Sequence, residues 1–367
     1  MKILQWVLVV FVLCGVQADL AMAQDDDGAL RAPPPQDGPI EVRTGFQLFD
    51  ISGVDEKEET IDFSGGIYML WMDPRLAYDP AEVGMDDWVP GNYSTPPRRL
   101  YQDDFAVKEL YPGWKPHLSL SNGVGNRQKN IQAIGIFPDG TVLYAERFSA
   151  TVETSMNLRM FPFDQQSVKV YFHPFLYSRS EVLLVHSDIL AGSWQEDTGI
   201  AEWSKLNMEF SERPLEYTLL NGERKVFSEL VVTIDIGRKP EHVLFSIVLP
   251  LFILVALTWC VFWMDESSVS DRVNITFIGI LTVVSYYFVI MDGVPEIPYL
   301  TMMDGFMLVT FVILAVTVVM SFVVDKLNRA GRRLEGDRVD RVARWAFPVG
   351  YVTAVGLIVL VFSIAGR

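Results

Sequence analysis

Four long apolar segments in the last third of the chain limit its fold more than any other feature. They cover about residues 243–264, 273–291, 301–324 and 345–364, and each is long enough to cross the roughly 30 Å hydrocarbon core of a bilayer as a helix. Backbone polar groups find no water inside a bilayer, so single spanning segments of this kind form helices. The sequence therefore predicts an all-α bundle of four transmembrane helices over residues 239–367.

The charge of the loops predicts how this bundle is oriented. Residues 325–344, DKLNRAGRRLEGDRVDRVAR, contain seven Lys and Arg side chains, which places this linker in the cytoplasm. Residues 1–23 combine Lys2, an apolar run and an Ala-Met-Ala end; they predict a cleaved signal peptide, with an N-terminal anchor as the alternative. Both cues place the N-terminal domain and the C-terminus outside the cell membrane, on the periplasmic side of the inner membrane in a Gram-negative host.

The exported part has the pattern of a β-protein. Short strand-like runs follow one another over residues 41–238, separated by turn sequences such as PDG at 138–140 and NG at 221–222. No long helical pattern interrupts them, which predicts an antiparallel, immunoglobulin-like β-sandwich. Residues 24–40 are acidic and proline-rich and predict a disordered leader. After signal cleavage Cys260 is the remaining cysteine, so the sandwich is expected to fold without an internal disulfide.

The charge of the exported part restricts the class of partner. Residues 24–238 carry 34 Asp and Glu against 19 Lys and Arg. A negative field of this kind attracts cations and disfavours nucleic acid, so monovalent cations are expected partners and calcium is a candidate modulator. The sequence contains no metal-ligand spacing, phosphate loop or nucleophile motif. Neither an enzyme nor a bound cofactor or metal is therefore expected.

The second span differs from the others because it is polar along part of its length. Spacings of three and four select a stripe that is acidic at both ends and apolar in its middle, formed by Asp271, Asn274, Ile278, Leu281, Ser285, Phe288 and Asp292. Several copies around an axis would form a tube with carboxylate rings, which select cations, and a hydrophobic constriction. A second stripe, Thr276, Gly279, Thr282 and Tyr286, stays open as the pore lining. An alternative without a pore also stays open, in which the polar side chains of this span only form hydrogen bonds between packed helices.

A series of short motifs runs through residues 40–367. It comprises WMDPRL at 71–76, WKP at 114–116, FPFD at 161–164, Arg238 before the first span, Pro250 within it and PEIPY at 295–299. In this order and spacing the motifs resemble the pentameric ligand-gated ion channels, the Cys-loop receptor superfamily. The resemblance implies a homopentamer in the lipid bilayer, in which each subunit joins four identical copies and contributes its second span to one central pore. A small extracellular ligand would open that pore.

The FPFD motif departs from the pattern of the animal members. Thr154 and Val168 stand where those receptors have two cysteines, so no disulfide is expected to close this loop. The missing bridge and the short cytoplasmic linker resemble the prokaryotic branch, and SVSDRV followed by ILTVVSYYF is similar to its cation-conducting members. Two other classes stay open: a membrane-anchored binding receptor without a pore, and a secondary transporter, which four spans without an inverted repeat disfavour.

The resemblance also implies two sets of site residues. At the joint between the domains, the motif Phe161, Pro162, Phe163 and Asp164 would meet Arg238, Glu56 and Pro295 and couple the domains, with a static structural ion pair as the alternative. The ligand would bind between subunits in an aromatic box at or near Phe175, Tyr217 and Phe227, with Ser121 where many relatives have a tyrosine. Aromatic faces attract amines. Protons acting on carboxyl groups with raised pKa values are the second candidate agonist.

Overall fold

A computed structural model describes residues 30–91, 93, 96–190, 202–218, 222–264, 269–291 and 297–365. Within these ranges ten strands precede four long helices. The strands are β1 Ile40–Asp55, β2 Thr60–Met72, β3 Arg99–Gln102, β4 Leu118–Leu120, β5 Gly123–Ile136, β6 Thr141–Glu153, β7 Gln165–Pro174, β8 Val182–His186, β9 Trp203–Thr218 and β10 Arg224–Arg238. Short helical turns lie at Pro74–Leu76, Pro80–Val83, Asp103–Phe105 and Ala106–Leu110. The predicted signal peptide lies outside the described residues.

The strands form two facing sheets, as expected of a sandwich. One sheet has the order β3-β5-β6-β2-β1-β8 and the other has the order β4-β7-β10-β9. Phe46, Phe63 and Phe148 of the first sheet pack with Phe172 of the second, and the rings of Phe46 and Phe172 lie 5.7 Å apart. The two-sheet prediction is confirmed, with one difference: β1 pairs with β8 in parallel, from Ile40 beside Val182 onward. After β7 the chain crosses to the other sheet, and β8 is added at its edge.

The leader predicted for residues 24–40 is partly ordered. Arg75 of the WMDPRL motif forms an ion pair with the buried Asp73 and also donates from Nη2 to the carbonyl oxygens of Leu30 and Ala32, at 3.3 and 2.9 Å. Leu30 packs against the sandwich core. The composition of this segment indicated disorder, but a partner more than forty residues away along the chain holds its second half. Residues 24–29 lie outside the described part.

Four helices follow the sandwich: α1 Glu241–Trp263, α2 Val269–Met291, α3 Met302–Arg329 and α4 Arg333–Ala365. All four are long and apolar enough to cross a membrane. The predicted cytoplasmic linker, residues 325–344, is mostly helical, because α3 continues to Arg329 and α4 begins at Arg333. Thr301 starts α3 with a capping box, in which its hydroxyl accepts from the Asp304 amide and the Asp304 carboxylate accepts from the Thr301 amide.

Candidate functional site

One face of α2 packs against its own subunit. Thr276 is fully buried and donates to the carbonyl of Arg272 on its own helix. A Cβ atom at Gly279 would lie 2.1 Å from the methyl group of Thr258 on α1, so the two helices approach each other here as only glycine allows. The Tyr286 hydroxyl donates to the carbonyl of Ser246 on α1 at 2.6 Å. Three members of the second predicted stripe therefore lie at or near the α1 side of the helix.

The opposite face of α2 is uncovered in the subunit. It carries the first predicted stripe, and the side chains of Ile278, Leu281 and Phe288 are 64%, 60% and 67% exposed. Asp271 and Asn274 are also exposed at the start of the helix. The Ser285 hydroxyl donates to the carbonyl of Leu281 at 2.9 Å, so its bonding capacity is used on the helix itself. Asp292, the predicted acid at the other end of the stripe, lies outside the described residues.

The predicted cluster at the domain joint centres on Arg238, at the end of β10. Its guanidinium is buried; Nε donates to Asp164 Oδ1 and Nη2 donates to Glu56 Oε1, both at 2.8 Å. The ring of Trp203 lies 4.2 Å and that of Phe161 4.9 Å from the guanidinium carbon. Burial opposes the charge, but the hydrogen bonds and charges of the two carboxylates outweigh it and raise the pKa of Arg238. The structure thus brings Glu56, Asp164 and Arg238 together.

The loop that carries FPFD also contacts the segment before α3. The Leu158 amide donates to the Tyr299 hydroxyl at 3.2 Å, and the Met302 amide donates to the carbonyl of Arg159 at 2.9 Å. Phe161 packs against the sandwich core and the helical core at once. Pro162 is buried beside it, Phe163 is exposed, and Pro295 lies outside the described residues. Hydrogen bonds from these two backbone amides and the shared ring of Phe161 therefore join the sandwich to the bundle.

A polar network centred on the buried Glu229 lies beside the predicted ligand box. The Ser121 hydroxyl donates to Glu229 Oε1 at 2.7 Å and lies 2.8 Å from His173 Nδ1, while Arg213 donates to the other oxygen of Glu229. Glu229 is fully buried. Burial lowers the pKa of His173, and the weaker influence of Glu229 acts in the opposite direction. His173 is therefore neutral near pH 7.

Aromatic rings cover this network on one side. The rings of Tyr217 and Phe227 lie 5.8 Å apart, and each lies about 6 Å from the ring of His173, at 6.2 and 6.1 Å. Phe175 follows β7 closely and is 66% exposed; within the described residues it takes part in none of these ring contacts. The sequence analysis did not identify His173, Glu229 and Arg213 as site residues. The available signal was the lone acid in the strand FSELVV, because an isolated charge in a buried strand requires a partner.

A second buried ion pair lies at the cytoplasmic end of the bundle. Arg272 of α2 donates from both terminal nitrogens to the two carboxylate oxygens of Asp340 on α4, at 2.9 and 2.8 Å. It also donates to the carbonyl of Met264 at 2.8 Å. Arg344, one turn further along α4, donates to the carbonyl of Phe262 on α1 at 2.8 Å. The start of α4 therefore holds the start of α2 and the end of α1 together, which the sequence did not predict.

No candidate metal site lies in the part of the chain that the structure describes. No group of three or more His, Cys, Asp or Glu side chains there could hold a metal ion. Calcium modulation stays a prediction. Within the described residues, hydrogen bonds from Lys108 and Ser178 lower the pKa values of Asp104 and Glu181 respectively. They give no support to the expectation of carboxyl groups with raised pKa values.

Comparison with known proteins gives two matches along the chain. Residues 29–240, more than half of it, match the neurotransmitter-gated ion-channel ligand binding domain. Residues 247–336 match the neurotransmitter-gated ion-channel transmembrane region. The boundary between the matches falls where β10 ends and α1 begins.

Individual relatives include channels of different kinds. The chain is 26% identical over 335 residues to the proton-gated ion channel of Gloeobacter violaceus, covering 90% of this chain and 85% of that protein. It is 22% identical to pH-sensitive chloride channel 2 of Anopheles gambiae, covering 72% and 42%. It is 26% identical to the gamma-aminobutyric acid receptor subunit beta of Caenorhabditis elegans, covering 68% and 48%. The chain spans less than half of the length of these two animal relatives.

These matches agree with the two-sheet sandwich and the four helices, and they establish the class of protein. It is a multi-pass membrane protein with an N-terminal extracellular domain, and it is not an enzyme. The chain belongs to the family of neurotransmitter-gated ion channels, the pentameric ligand-gated ion channels.

Proposed function

We propose that five copies of this chain form a cation-selective channel that a small extracellular ligand opens. The observation that carries the proposal is the contrast between the two faces of α2. One face is closed by packing against α1 at Gly279 and Tyr286, and the other presents Asp271, Asn274, Ile278, Leu281, Ser285 and Phe288 outside the subunit. In a five-membered ring the uncovered face lines the axis, which gives an acidic mouth followed by an apolar constriction.

Accessibility of single cysteines along α2 tests this arrangement. In a Cys260→Ser background, which removes the exposed native thiol, Leu281→Cys should react with a water-soluble thiol reagent and block the current. Val283→Cys is the matched control, because Val283 lies two residues away on the same helix and is fully buried. Equal reaction at both positions, or no reaction at position 281 in the open channel, would contradict the pore assignment.

Cation selectivity rests on Asp271 in the first turn of α2. A ring of five carboxylates at a pore mouth concentrates cations and repels anions. We expect Asp271→Asn to lower single-channel cation conductance by roughly two- to tenfold and to shift the reversal potential in a salt gradient toward that of an unselective pore. Asp337→Asn is the control, because Asp337 is exposed on α4. The relatives include a chloride channel, so cation selectivity needs its own test. An unchanged reversal potential in Asp271→Asn would contradict the proposed cation selectivity.

A small amine is the agonist class that the box supports. The rings of Tyr217, Phe227 and His173 lie about 6 Å from one another, with Tyr217 exposed and the other two buried beneath it. His173 is neutral near pH 7 and does not repel a cation. Both oxygens of Glu229 are engaged by Ser121 and Arg213, so attraction to the rings is the main recognition term. Currents evoked by a panel of primary amines test this, with Phe227→Leu as the variant that keeps an apolar side chain and removes one ring. A protein that conducts under no agonist in bilayers would instead be the non-conducting receptor.

Protons are the second candidate agonist, favoured by the names of the Gloeobacter and Anopheles relatives. The two agonists predict opposite dependence on pH. His173, with its pKa below 6.5, gains a proton as the pH falls through that lowered pKa and then repels a bound ammonium. An amine-evoked current should therefore decrease in acid. A proton-evoked current should increase in acid without any amine, and measurement of the current between pH 8 and pH 4 separates the two.

A further inference from the structure

Arg272 follows directly after Asp271, the acid on which the proposed cation selectivity rests. A cation at this place in the chain opposes that selectivity, because its positive charge would offset the negative charge that attracts cations to the pore mouth. The structure separates the two side chains, since Asp271 is exposed and Arg272 is buried. The side of α2 on which each charge lies therefore decides the field at the mouth.

The buried face of α2 begins at Arg272. This residue is followed along the same face by Thr276 and Val283, which are both fully buried, and the Thr276 hydroxyl donates to the carbonyl of Arg272 at 2.9 Å. Successive residues of an α-helix lie about 100° apart around its axis, so Asp271 and Arg272 point in different directions. Asp271 and Asn274 begin the uncovered face. Holding Arg272 against the subunit thus turns Asp271 toward the uncovered side.

The counterion that holds Arg272 comes from another helix, α4. Arg272 donates from Nη1 to Asp340 Oδ1 at 2.9 Å and from Nη2 to Asp340 Oδ2 at 2.8 Å, and Nη2 also donates to the carbonyl of Met264 at 2.8 Å. The two side chains of the pair are 8% and 9% exposed. A bidentate pair of this kind fixes the direction of the guanidinium as well as neutralising its charge. It holds the guanidinium on the buried side of α2.

The part of α4 that carries Asp340 is itself held against α1. One turn further along, Arg344 Nε donates to the carbonyl of Phe262 at 2.8 Å, and the rings of Phe262 and Phe347 lie 4.8 Å apart. Asp340 is therefore a fixed counterion. Without this carboxylate the buried guanidinium would be unfavourable where it is. On its long, flexible side chain it would turn to the solvent of the pore mouth, where the ring of Asp271 carboxylates attracts it.

We propose that Asp340 is a positioning residue for cation selectivity. By holding Arg272 on the buried side of α2, it leaves the ring of Asp271 carboxylates uncompensated at the pore mouth. Asp340 lies on α4, outside the helix that lines the proposed pore, so it acts through Arg272. The inference rests on the proposed cation selectivity and adds to it a determinant on a second helix.

Reversal potentials of the assembled full-length channel in a salt gradient test the proposal. Asp340→Asn removes the charge and nearly preserves the size of the side chain. It should shift the reversal potential toward that of an unselective pore, in the same direction as Asp271→Asn, and lower the single-channel cation conductance by roughly two- to tenfold. Asp340→Glu keeps the charge and should retain the selectivity. Asp337→Asn, at an exposed position of α4, is the control and should change neither quantity.

The double variant Arg272→Gln with Asp340→Asn separates positioning from a purely structural role. It lacks the ion pair too, but it has no cation at position 272 that could compensate Asp271. The reversal potential should therefore return to that of the unmodified channel, and the conductance to within roughly twofold of it. A pair with a purely structural role predicts instead that the double variant behaves like Asp340→Asn alone. That result would overturn the proposal.

Mixed rings provide the test if Asp340→Asn alone does not assemble. Co-expression with unmodified subunits should then give a shift in reversal potential that increases with the share of the variant subunit. An unchanged reversal potential with Asp340→Asn, when Asp271→Asn shifts it, would overturn this inference and leave the proposed cation selectivity in place. An unchanged reversal potential in both variants would overturn the two together.

Discussion

The two ends of the helical bundle each bury an arginine, but they hold it in different ways. At the extracellular end, Arg238 donates to both carboxylate oxygens of Asp164, at 2.8 and 3.4 Å, and also to Glu56, and both acids lie in loops of the sandwich. At the cytoplasmic end, Arg272 and Asp340 form a bidentate pair between two helices. A guanidinium shared between two loops can exchange partners when the domains move, whereas a bidentate pair between packed helices fixes one geometry. We expect the bundle to be locked at its base, where one acid holds the arginine between helices, and adjustable at its top, where two acids on separate loops share it.

Arg238→Gln should have the largest effect on function. It leaves Asp164 buried without its cation, and loss of one partner of a buried pair costs about 3–5 kcal/mol. If the cluster couples the domains, agonist-evoked current should fall by roughly a hundredfold while assembly in the membrane stays normal. The measurement is whole-cell current normalised to surface protein. Failed assembly would instead make the cluster a static structural ion pair.

Asp340→Asn tests whether the base is locked. Because Arg272 then lacks its carboxylate in a buried site, we expect the assembled protein to lose about 3–5 kcal/mol of stability. The measurement is the midpoint of thermal dissociation of the detergent-solubilised complex, followed by size-exclusion chromatography. Asp337→Asn, three residues earlier on the same helix and exposed, is the control. Equal midpoints for the two variants would show that the Arg272–Asp340 pair does not lock the cytoplasmic end of the bundle.

The two acids at the joint should differ from each other. Asp164 is buried and accepts hydrogen bonds from both Arg238 and Gln166, whereas the Glu56 side chain is 23% exposed and accepts from Arg238. Asp164→Asn should therefore cost about 2–3 kcal/mol and Glu56→Gln about 1 kcal/mol or less. Chemical denaturation monitored by tryptophan fluorescence measures both. Equal losses would show that the arginine does not favour one acid over the other.

Tyr299→Phe should have the smallest effect. It removes the hydroxyl that accepts from the Leu158 amide and donates to the carbonyl of Met156, and it keeps the ring beside Arg159. The loss of these two long hydrogen bonds, at 3.2 and 3.4 Å, between the sandwich and the segment before α3 should change the free energy of opening by about 1 kcal/mol, a shift of roughly fivefold in agonist EC50. Thr310→Val, which removes a hydroxyl within the bundle near Tyr351, is the control. A larger shift in the control would show that the joint carries no special coupling.

Sequence patterns predicted the features that repeat along the chain, and they missed features that depend on one distant partner. Apolar length gave the four spans, and strand and turn patterns gave the two-sheet sandwich. The resemblance brought Glu56, Asp164 and Arg238 together in advance. The parallel pairing of β1 with β8 has no local signature, because about 140 residues separate the two strands.

The missed site residues have the same explanation. Arg272 and Asp340 occur in segments rich in charge, where nothing in the sequence distinguishes a buried charge from a solvated one. His173 and Glu229 meet because β7 and β10 are neighbours in one sheet, and the order of strands is a tertiary property. Of the predicted box, Phe227 and Tyr217 meet each other, while Phe175 is exposed and meets neither ring.

Phe161 packs against both hydrophobic cores, so its ring can serve as a spectroscopic reporter of the tilt between the sandwich and the bundle. A rotation of the sandwich over the helices changes the surroundings of this one ring without altering the interior of either domain. A fluorine atom placed on the ring would therefore give separate NMR resonances for separate tilts. Their relative intensities would count resting and activated subunits directly, even in preparations that conduct no current.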